Sequence, residues 1–374
     1  MKEIKTTLQS IACGGTGGEI TAVDTMDGKI LRIRPFRNDT AYTKEELAPS
    51  MWKIDVDGKV FEPSIKTCPN WIALAYKNRV YSKNRVLKPL KRVDWEPGGD
   101  PAKINSANRG ISKFVEISWD EALALITDKF NEIKEQYGPE AVVFARGTGR
   151  DIQPIVRLAT SFGSPNHTCY AFSGDACFVP RVCCSIATTG CYMIHVDCSQ
   201  WFRDRYNNPE WKAPGCIAVW GNNPLNSNAD GFFGHWVIDC MKRGSKMIVV
   251  DPRVTFLATR ADMFLQIRPG TDGALAMAWL NVIIKEKLYD EEFVKDWCHG
   301  FEELAERVKD FTPAKAAEIT WIPEKKIIES ARMFATADTG AIQWGLAIDQ
   351  TKYSFPTAHA LIAIMSITGN IDIP

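Results

Sequence analysis

The alternation of apolar and polar positions changes character about a third of the way along the chain. Before residue 110 it is short in period and often interrupted. Glu19–Asp24 and Lys29–Pro35 flank Asp27-Gly28, a dipeptide suited to a two-residue hairpin turn. Lys53–Val60 repeats that arrangement around Asp57-Gly58. From Trp95 to Arg109, Gly, Pro and Asn accumulate, which predicts a surface loop or a boundary. A helical period then sets in. Ser118-Trp-Asp-Glu121 has the form of a capping box, with Ser118 as N-cap and Glu121 reaching back to it. Ala122, Leu125, Ile126, Phe130 and Ile133 follow at helical spacing, and Gly138-Pro139 ends the run.

Beyond this helix, short apolar runs alternate with helical ones. Ala141–Ala145 (AVVFA) is wholly apolar, as expected of a strand inside a parallel sheet. Cys216–Trp220, Lys246–Val250, Met263–Ile267 and Ala341–Leu346 predict further strands. Gly231–Arg243, stopped by Gly244, Ala274–Lys287 and Pro323–Ala337 predict helices between them. Strand and helix alternating at this spacing imply an α/β class: a β-rich N-terminal region followed by a doubly wound, Rossmann-like parallel sheet with crossover helices.

In such sheets ligands bind beyond the carboxyl ends of the strands. Four loops stand there: Arg146-Gly147-Thr148-Gly149-Arg150, Gly221-Asn222-Asn223-Pro224, Asp251-Pro252-Arg253 and Gly270-Thr271-Asp272. Small residues let backbone N–H groups approach phosphate, and Asn and Asp read polar edges. Arg146, Arg253 and Arg268 are suited to two-pronged bonds with phosphate. Turns after strands are polar and glycine-rich for purely structural reasons too, so one such loop says little. Four on successive strand ends point to a large ligand with several phosphates. The glycine-rich fingerprint of nicotinamide enzymes and the phosphate loop of nucleotide triphosphatases are both missing, which disfavours those classes.

Composition narrows the class further. The 374 residues carry 45 basic and 45 acidic side chains, and this zero net charge argues against nucleic acid or an anionic membrane as the main partner. With 45% hydrophobic and 24% charged residues the chain should fold, at a length that suggests two or three domains. No run of about 18 apolar residues predicts a transmembrane helix. Residues 1–10 lack the apolar centre of a secretory signal, so a cytoplasmic location is expected. Eleven cysteines without a signal then suggest metal or redox chemistry before disulfides. Six of them lie between Cys169 and Cys198, although buried cysteine is often no more than a small apolar residue. The twelve tryptophans favour an enzyme with aromatic-lined cavities.

Several segments carry a family resemblance. WGNNP (220–224), GSKMIVVDPR (244–253), ADMFLQIRPGTDGAL (261–275), LYDEEFV (288–294), IQWGLAIDQ (342–350), TGNIDIP (368–374) and ISWDEAL (117–123) resemble the molybdopterin oxidoreductases of the dimethyl sulfoxide reductase superfamily. DGKILRIRP (27–35), SMWKIDVDGKVFEP (50–63), NRVLKPLKR (84–92) and SKFVEISWDEA (112–122) resemble the large subunits of pyrogallol–phloroglucinol transhydroxylase. Catechol dehydroxylases and acetylene hydratase are related to the same subgroup. The resemblance implies molybdenum or tungsten held by two molybdopterin guanine dinucleotides, and hydroxyl transfer or removal on a catechol- or pyrogallol-type ring. The alternatives are reduction of an N-oxide, S-oxide or oxyanion, an inactive cofactor-binding fragment, or a cysteine-rich metal module, and no CxxC pair supports the last.

The same resemblance distributes roles. Gly221, Asn222, Asn223, Asp251, Arg253, Gly270, Thr271 and Asp272 would bind one guanine dinucleotide, with Gly147 and Gly149 also on the cofactor. Gly345 and Gln350 would face the second pterin, and Lys77 and Lys91 lie on the pterin side. Cys177 is the expected metal ligand, with Cys183 and Cys184 as alternatives, because thiolate suits a soft, high-valent metal. His167, Asp175 and Arg150 are the candidate acid–base groups, Asp175 as proton donor to a leaving hydroxide. Most superfamily members begin with four cysteines for an iron–sulfur cluster. Only Cys13 and Cys68 stand in that region, so no cluster is expected in this chain, and electrons would come through a separate iron–sulfur subunit. The implied domains are a β-rich region 1–110, the first part of a molybdopterin domain at 111–160, a Rossmann-like dinucleotide domain at 161–335, and an incomplete return into the first domain at 336–374. Relatives are far longer, so the chain is expected to be an N-terminal fragment.

Overall fold

Every residue of Cys216–Trp220 is buried, which requires that both faces of the strand be covered. A computed structural model describes residues 3–11, 19–48, 53–56, 59–62, 65–67, 69, 71–95, 104–146, 152–169, 179–192, 196, 213–227 and 232–373. They divide into two compact units, one of Met1–Cys13, Gly17–Leu74 and Ser173–Pro374, the other of Gly14–Thr16 and Ala75–Phe172.

The first unit opens with a three-stranded antiparallel sheet of β1 (Lys5–Ile11), β2 (Glu19–Met26) and β3 (Lys29–Pro35). The β2–β3 hairpin forms as expected. Met26 pairs with Lys29, and Asp27 and Gly28 take the positive φ values, 49° and 73°, that a two-residue turn demands. β1 was not foreseen, because its polar and apolar residues alternate without flanking turn signals. A full capping box, not anticipated, joins Thr43 and Glu46 ahead of α1 (Lys44–Leu47). The second hairpin is present as β4 (Ile54–Val56) and β5 (Lys59–Phe61). Helix α2 (Trp71–Val80) runs across the boundary of the two units.

The second unit contains β6 (Leu90–Arg92) paired with β7 (Phe114–Glu116), then α3 (Trp119–Tyr137). Ser118 accepts from the Glu121 amide at 3.0 Å, so the forward half of the expected box caps α3, and Gly138 at φ 86° ends it. The strand expected at Ala141–Ala145 is shorter and displaced. Pro139 starts a 3₁₀ turn over Pro139–Ala141, so β8 covers only Phe144–Arg146, and Val143 is exposed. After α4 (Ile152–Phe162), β9 (His167–Cys169) pairs parallel with β8. Phe130, Phe144 and Phe162 meet edge to face with centroids 5.4–5.8 Å apart and form the centre of this small core.

The first unit resumes with α5 (Val179–Thr189), followed by β10 (Cys216–Trp220), α6 (Pro224–Ser227), α7 (Phe232–Lys242), β11 (Lys246–Val250) and β12 (Met263–Leu265). Helices α8 (Asp272–Lys285), α9 (Glu291–Trp297), α10 (Phe301–Val308), α11 (Pro313–Thr320) and α12 (Glu324–Ala335) come next. β13 (Gly340–Trp344), α13 (Leu346–Asp349) and α14 (Ser354–Ile367) complete the described chain. The four strands β10–β13 form an all-parallel sheet in the order β12-β11-β10-β13. The doubly wound expectation holds, with element ends shifted by no more than three residues.

The period of two in the strands sorts residues between the faces. Ile217, Val219, Met247 and Val249 pack with Trp236, Val237 and Cys240 of α7. Cys216, Ala218, Trp220, Ile248 and Val250 pack against α8, α12 and α14 on the other face. Trp220, Trp236 and Trp279 are buried in these cores. Cys216 and Cys240 are likewise core residues, and burial pushes both thiols up to about 12.

Candidate dinucleotide site

Because β10–β13 are parallel, their carboxyl ends share one edge of the sheet. The chain winds from β10 outward through β11 to β12, then returns to place β13 on the other side of β10. By the general rule for such sheets, a reversal of this kind sets a crevice outside the neighbouring strand ends, here those of β10 and β13, and ligands bind in it. The loops predicted from sequence stand along this edge: Gly221, Asn222 and Asn223 after β10, Asp251 and Arg253 after β11, Gly270, Thr271 and Asp272 after β12, and Gly345 after β13.

Neighbouring loops are fastened to one another. The Gly221 amide donates to Val250 O at 2.8 Å and the Gly345 amide to Trp220 O at 3.1 Å. A Cβ built on Gly345 would stand 2.4 Å from Gly221 O, so glycine is required there by the approach of the protein's own backbone. Gly221 is confined as well, with φ 55° and 2.9 Å between its built Cβ and Ala347 Cβ. Gly270, at φ 79°, faces open space within 4 Å. Of the loop glycines, then, Gly270 has room for a ligand beside it, whereas Gly221 and Gly345 set the shape of the crevice.

Asp251 is buried and accepts from the Arg253 amide at 2.7 Å, an Asx turn that holds the loop. The Arg253 guanidinium is 3.7 Å from that carboxylate and its side chain is 71% exposed, so it stands open to solvent. Asp272 is tied to the core: Trp220 Nε1 donates to its Oδ1 at 2.8 Å, joining β10 to the start of α8. Burial pushes the Asp272 carboxyl up, and the indole N–H pulls it partly back. With a folded-state value above the ordinary 3.8, its charge costs stability increasingly as pH rises through that window. Asp272→Asn, which keeps the acceptor, is expected to be at least as stable as the parent at pH 7, with the difference fading below pH 3.8. Thermal midpoints across pH check this. Arg268 lies with its Cζ 5.1 Å from the Trp321 ring centroid, so its cation already has an aromatic partner.

Other predicted residues fall elsewhere or outside the described set. Arg150, Gly147, Gly149, Asp175 and Cys177 are not among the described residues. His167 is exposed at the start of β9, in the second unit. Gln350 is exposed just after α13, and Lys77 and Lys91 lie on α2 and β6. Of the alternative ligands, Cys183 is exposed on α5, and Cys184 is buried and donates from Sγ to Phe355 O at 3.3 Å. Burial pushes the Cys184 thiol up to about 11, which disfavours the thiolate a metal needs.

Sequence reasoning missed two groups. Gln343 and Trp344, just before Gly345, are buried, and the amide Nε2 and Oε1 and the indole Nε1 have no hydrogen-bond partner. Buried polar atoms without partners cost about 1–3 kcal/mol each; adjacent on β13, these two side chains leave the sheet on opposite faces, Gln343 on the Val219 side and Trp344 in the Trp220 core. Arg181 and Asp349 form a buried ion pair joining α5 to α13. Only the repeated polar ending of IQWGLAIDQ hinted at either.

Room at Gly270 and an exposed guanidinium at Arg253 suit a polar, phosphate-bearing ligand. The arrangement is that of a doubly wound α/β layer with its loops gathered along one edge of the sheet. Residues 85–374 match the molybdopterin oxidoreductase family, and the chain belongs to it, within the dimethyl sulfoxide reductase superfamily. Residues 19–79 match domain 1 of the pyrogallol hydroxytransferase large subunit-like proteins. Acetylene hydratase of Syntrophotalea acetylenica is 34% identical over 332 residues, covering 85% of this chain and 41% of that protein. Formate dehydrogenase H of Escherichia coli (strain K12) is 32% identical over 267 residues, covering 70% and 35%. The solved structure of acetylene hydratase from Pelobacter acetylenicus matches with TM-score 0.58 and 29% identity, over 86% of this chain and 42% of that one. The chain thus spans about two fifths of the length of acetylene hydratase. Among the described residues no helix is long and apolar enough to cross a membrane.

Proposed function

We propose that the chain is part of the catalytic subunit of a molybdenum or tungsten enzyme carrying two molybdopterin guanine dinucleotides, which removes or transfers a hydroxyl on catechol- or pyrogallol-type rings. The match of residues 19–79 to the pyrogallol hydroxytransferase large subunit-like domain carries this reading. In this account 111–160 belongs to one cofactor domain and 161–335 to the other, behind the β-rich 1–110, and 336–374, expected to return into the first, instead sets β13 beside β10 in the sheet of the second.

The bound cofactor would supply two-electron redox chemistry, and the protein's part is to hold it and manage protons. Gly221, Asn222, Asn223, Asp251, Arg253, Gly270, Thr271 and Asp272 hold one dinucleotide along the β10–β12 edge. Gln350 would face the other pterin beside the turn that Gly345 closes against Gly221 O, and Gly147 and Gly149 would add backbone contacts. Cys177 ligates the metal, while His167, Asp175 and Arg150 deliver or orient protons. Reductive removal breaks the ring C–O bond and releases the oxygen as water, which requires two electrons and two protons. A separate iron–sulfur subunit delivers those electrons, and transfer between two rings needs no net supply. The reducing cytoplasm of an anaerobic metabolism suits the cysteine-rich composition.

Arg253 gives the nucleotide assignment a direct test. Its side chain is exposed, so Arg253→Ala is expected to shift stability by less than about 0.5 kcal/mol while lowering retained guanine nucleotide. Nucleotide released on acid denaturation, read beside the thermal midpoint, checks both halves.

A second reading, a different small substrate on the same cofactor, is favoured by the identity to acetylene hydratase across 85% of the chain. A screen of catechols, pyrogallol and N-oxides with a reduced dye separates them. Loss of a ring hydroxyl supports the first reading, and dye oxidation by N-oxides alone moves the assignment to the second.

A further inference from the structure

Trp321 closes α11: its amide donates to Ala317 O at 3.0 Å, and its own backbone is left-handed at φ 65°. Glycine takes that conformation freely at a helix end, whereas a bulky side chain is strained there. Burial does not offset the strain, because Trp321 is 69% exposed while Thr320 and Ile322 on either side are buried. Neither helix capping nor core packing therefore accounts for a tryptophan at this position, and strain of this kind collects at ligand sites.

The surroundings indicate which ligand. The Arg268 guanidinium carbon lies 5.1 Å from the indole centroid, and the Arg268 amide donates to Thr320 O at 2.9 Å. Thr271 donates to Arg268 O from its amide at 3.3 Å and from Oγ1 at 2.7 Å, which closes the turn that opens α8. Pro269 and Gly270 within that turn are exposed, and Gly270 has open space beside it. Gln266 Nε2 donates to Pro252 O at 3.0 Å, fastening the end of β12 to the loop that carries Arg253. Indole and guanidinium thus make one flat, cationic, solvent-facing surface fixed to both loops. A heteroaromatic base stacks on either plane.

We propose that Trp321 and Arg268 form a stacking platform for the guanine base of the dinucleotide held along the β10–β12 edge. This rests on the reading of that edge as a dinucleotide site. Stacking of one base strengthens binding by roughly five- to a hundredfold.

The test uses the cofactor-loaded subunit with W321G, W321F and R268K, and with W297A as a control at another exposed tryptophan, on α9. Release of guanine nucleotide in mild denaturant is followed beside the thermal midpoint. W321G should release one of the two nucleotides at least about fivefold faster. Its midpoint should stay within about 4 °C of the parent's, because glycine accepts the left-handed backbone. W321F, which keeps an aromatic face, should release it no more than about twofold faster, and R268K, which keeps charge without the plane, should fall between them. W297A should match the parent. Release from W321G at the parent's rate, or from W321F as fast as from W321G, overturns the platform alone. A parent protein that carries no guanine nucleotide overturns the dinucleotide reading beneath it.

Discussion

Gly345→Ala is expected to cost at least about 3 kcal/mol, the upper end of what overpacking usually costs. The added methyl would stand 2.4 Å from Gly221 O and 3.0 Å from Asn222 Cα, both backbone atoms held by strand ends. No side chain can rotate away to relieve the clash, so the β10 and β13 ends must separate. That separation would disturb the crevice that the proposed cofactor would occupy. Gly270→Ala provides the comparison. It meets open space and pays only for its φ of 79°, a strain of about 1–2 kcal/mol. Denaturant midpoints of the two variants check the prediction. If Gly345→Ala were no worse than Gly270→Ala, the close approach of the two loops would be wrong.

The second large effect is expected at Asp24, buried in the N-terminal sheet. It accepts from Thr6 Oγ1 at 2.7 Å, Arg32 Nε at 2.6 Å, Arg34 Nε at 2.9 Å and Arg34 Nη2 at 3.0 Å. The Arg34 guanidinium, with Arg32 and Thr6 adding to it against the opposing effect of burial, holds the carboxyl well below the usual carboxylate range. Asp24→Ala leaves Arg34 unpaired, and removing one partner of a buried pair costs about 3–5 kcal/mol. Arg32 is 67% exposed and solvent screens its share, so the lower end, about 3 kcal/mol, is expected. The depressed folded-state value fixes the pH dependence. The contribution is complete above the ordinary 3.8 and is lost as pH falls below it toward the folded value. Acid unfolding of residues 5–35, followed by hydrogen exchange, should therefore begin below pH 3.8 in the parent. The same limb should be nearly flat in Asp24→Asn. Identical acid limbs would remove Asp24 from the account.

Legibility from sequence followed physical regularity. β10 and β11 are predicted to the residue, because strands buried on both faces read as unbroken apolar runs between polar turns. Their loops follow directly, since the carboxyl edge of a parallel sheet is where such ligands sit. Helix α14 was missed for the opposite reason. It is buried on nearly all sides, so Ser354–Ile367 shows no amphipathic period to detect. The Val142–Phe144 region misled because apolar composition does not reveal where Pro139 forces a turn. Roles within the site were harder still. Gly345 reads like a ligand-facing glycine, yet its contact is with Gly221 O, a pairing that only the strand order creates. The Arg181–Asp349 pair spans 168 residues, and no local pattern signals a partner at that distance.

Elemental and nucleotide analysis of the purified, acid-released protein tests the central claim most directly. The account predicts one molybdenum or tungsten accompanied by two guanine nucleotides for each chain of the intact subunit. Zinc alone, with no pterin and no guanine nucleotide, would contradict it.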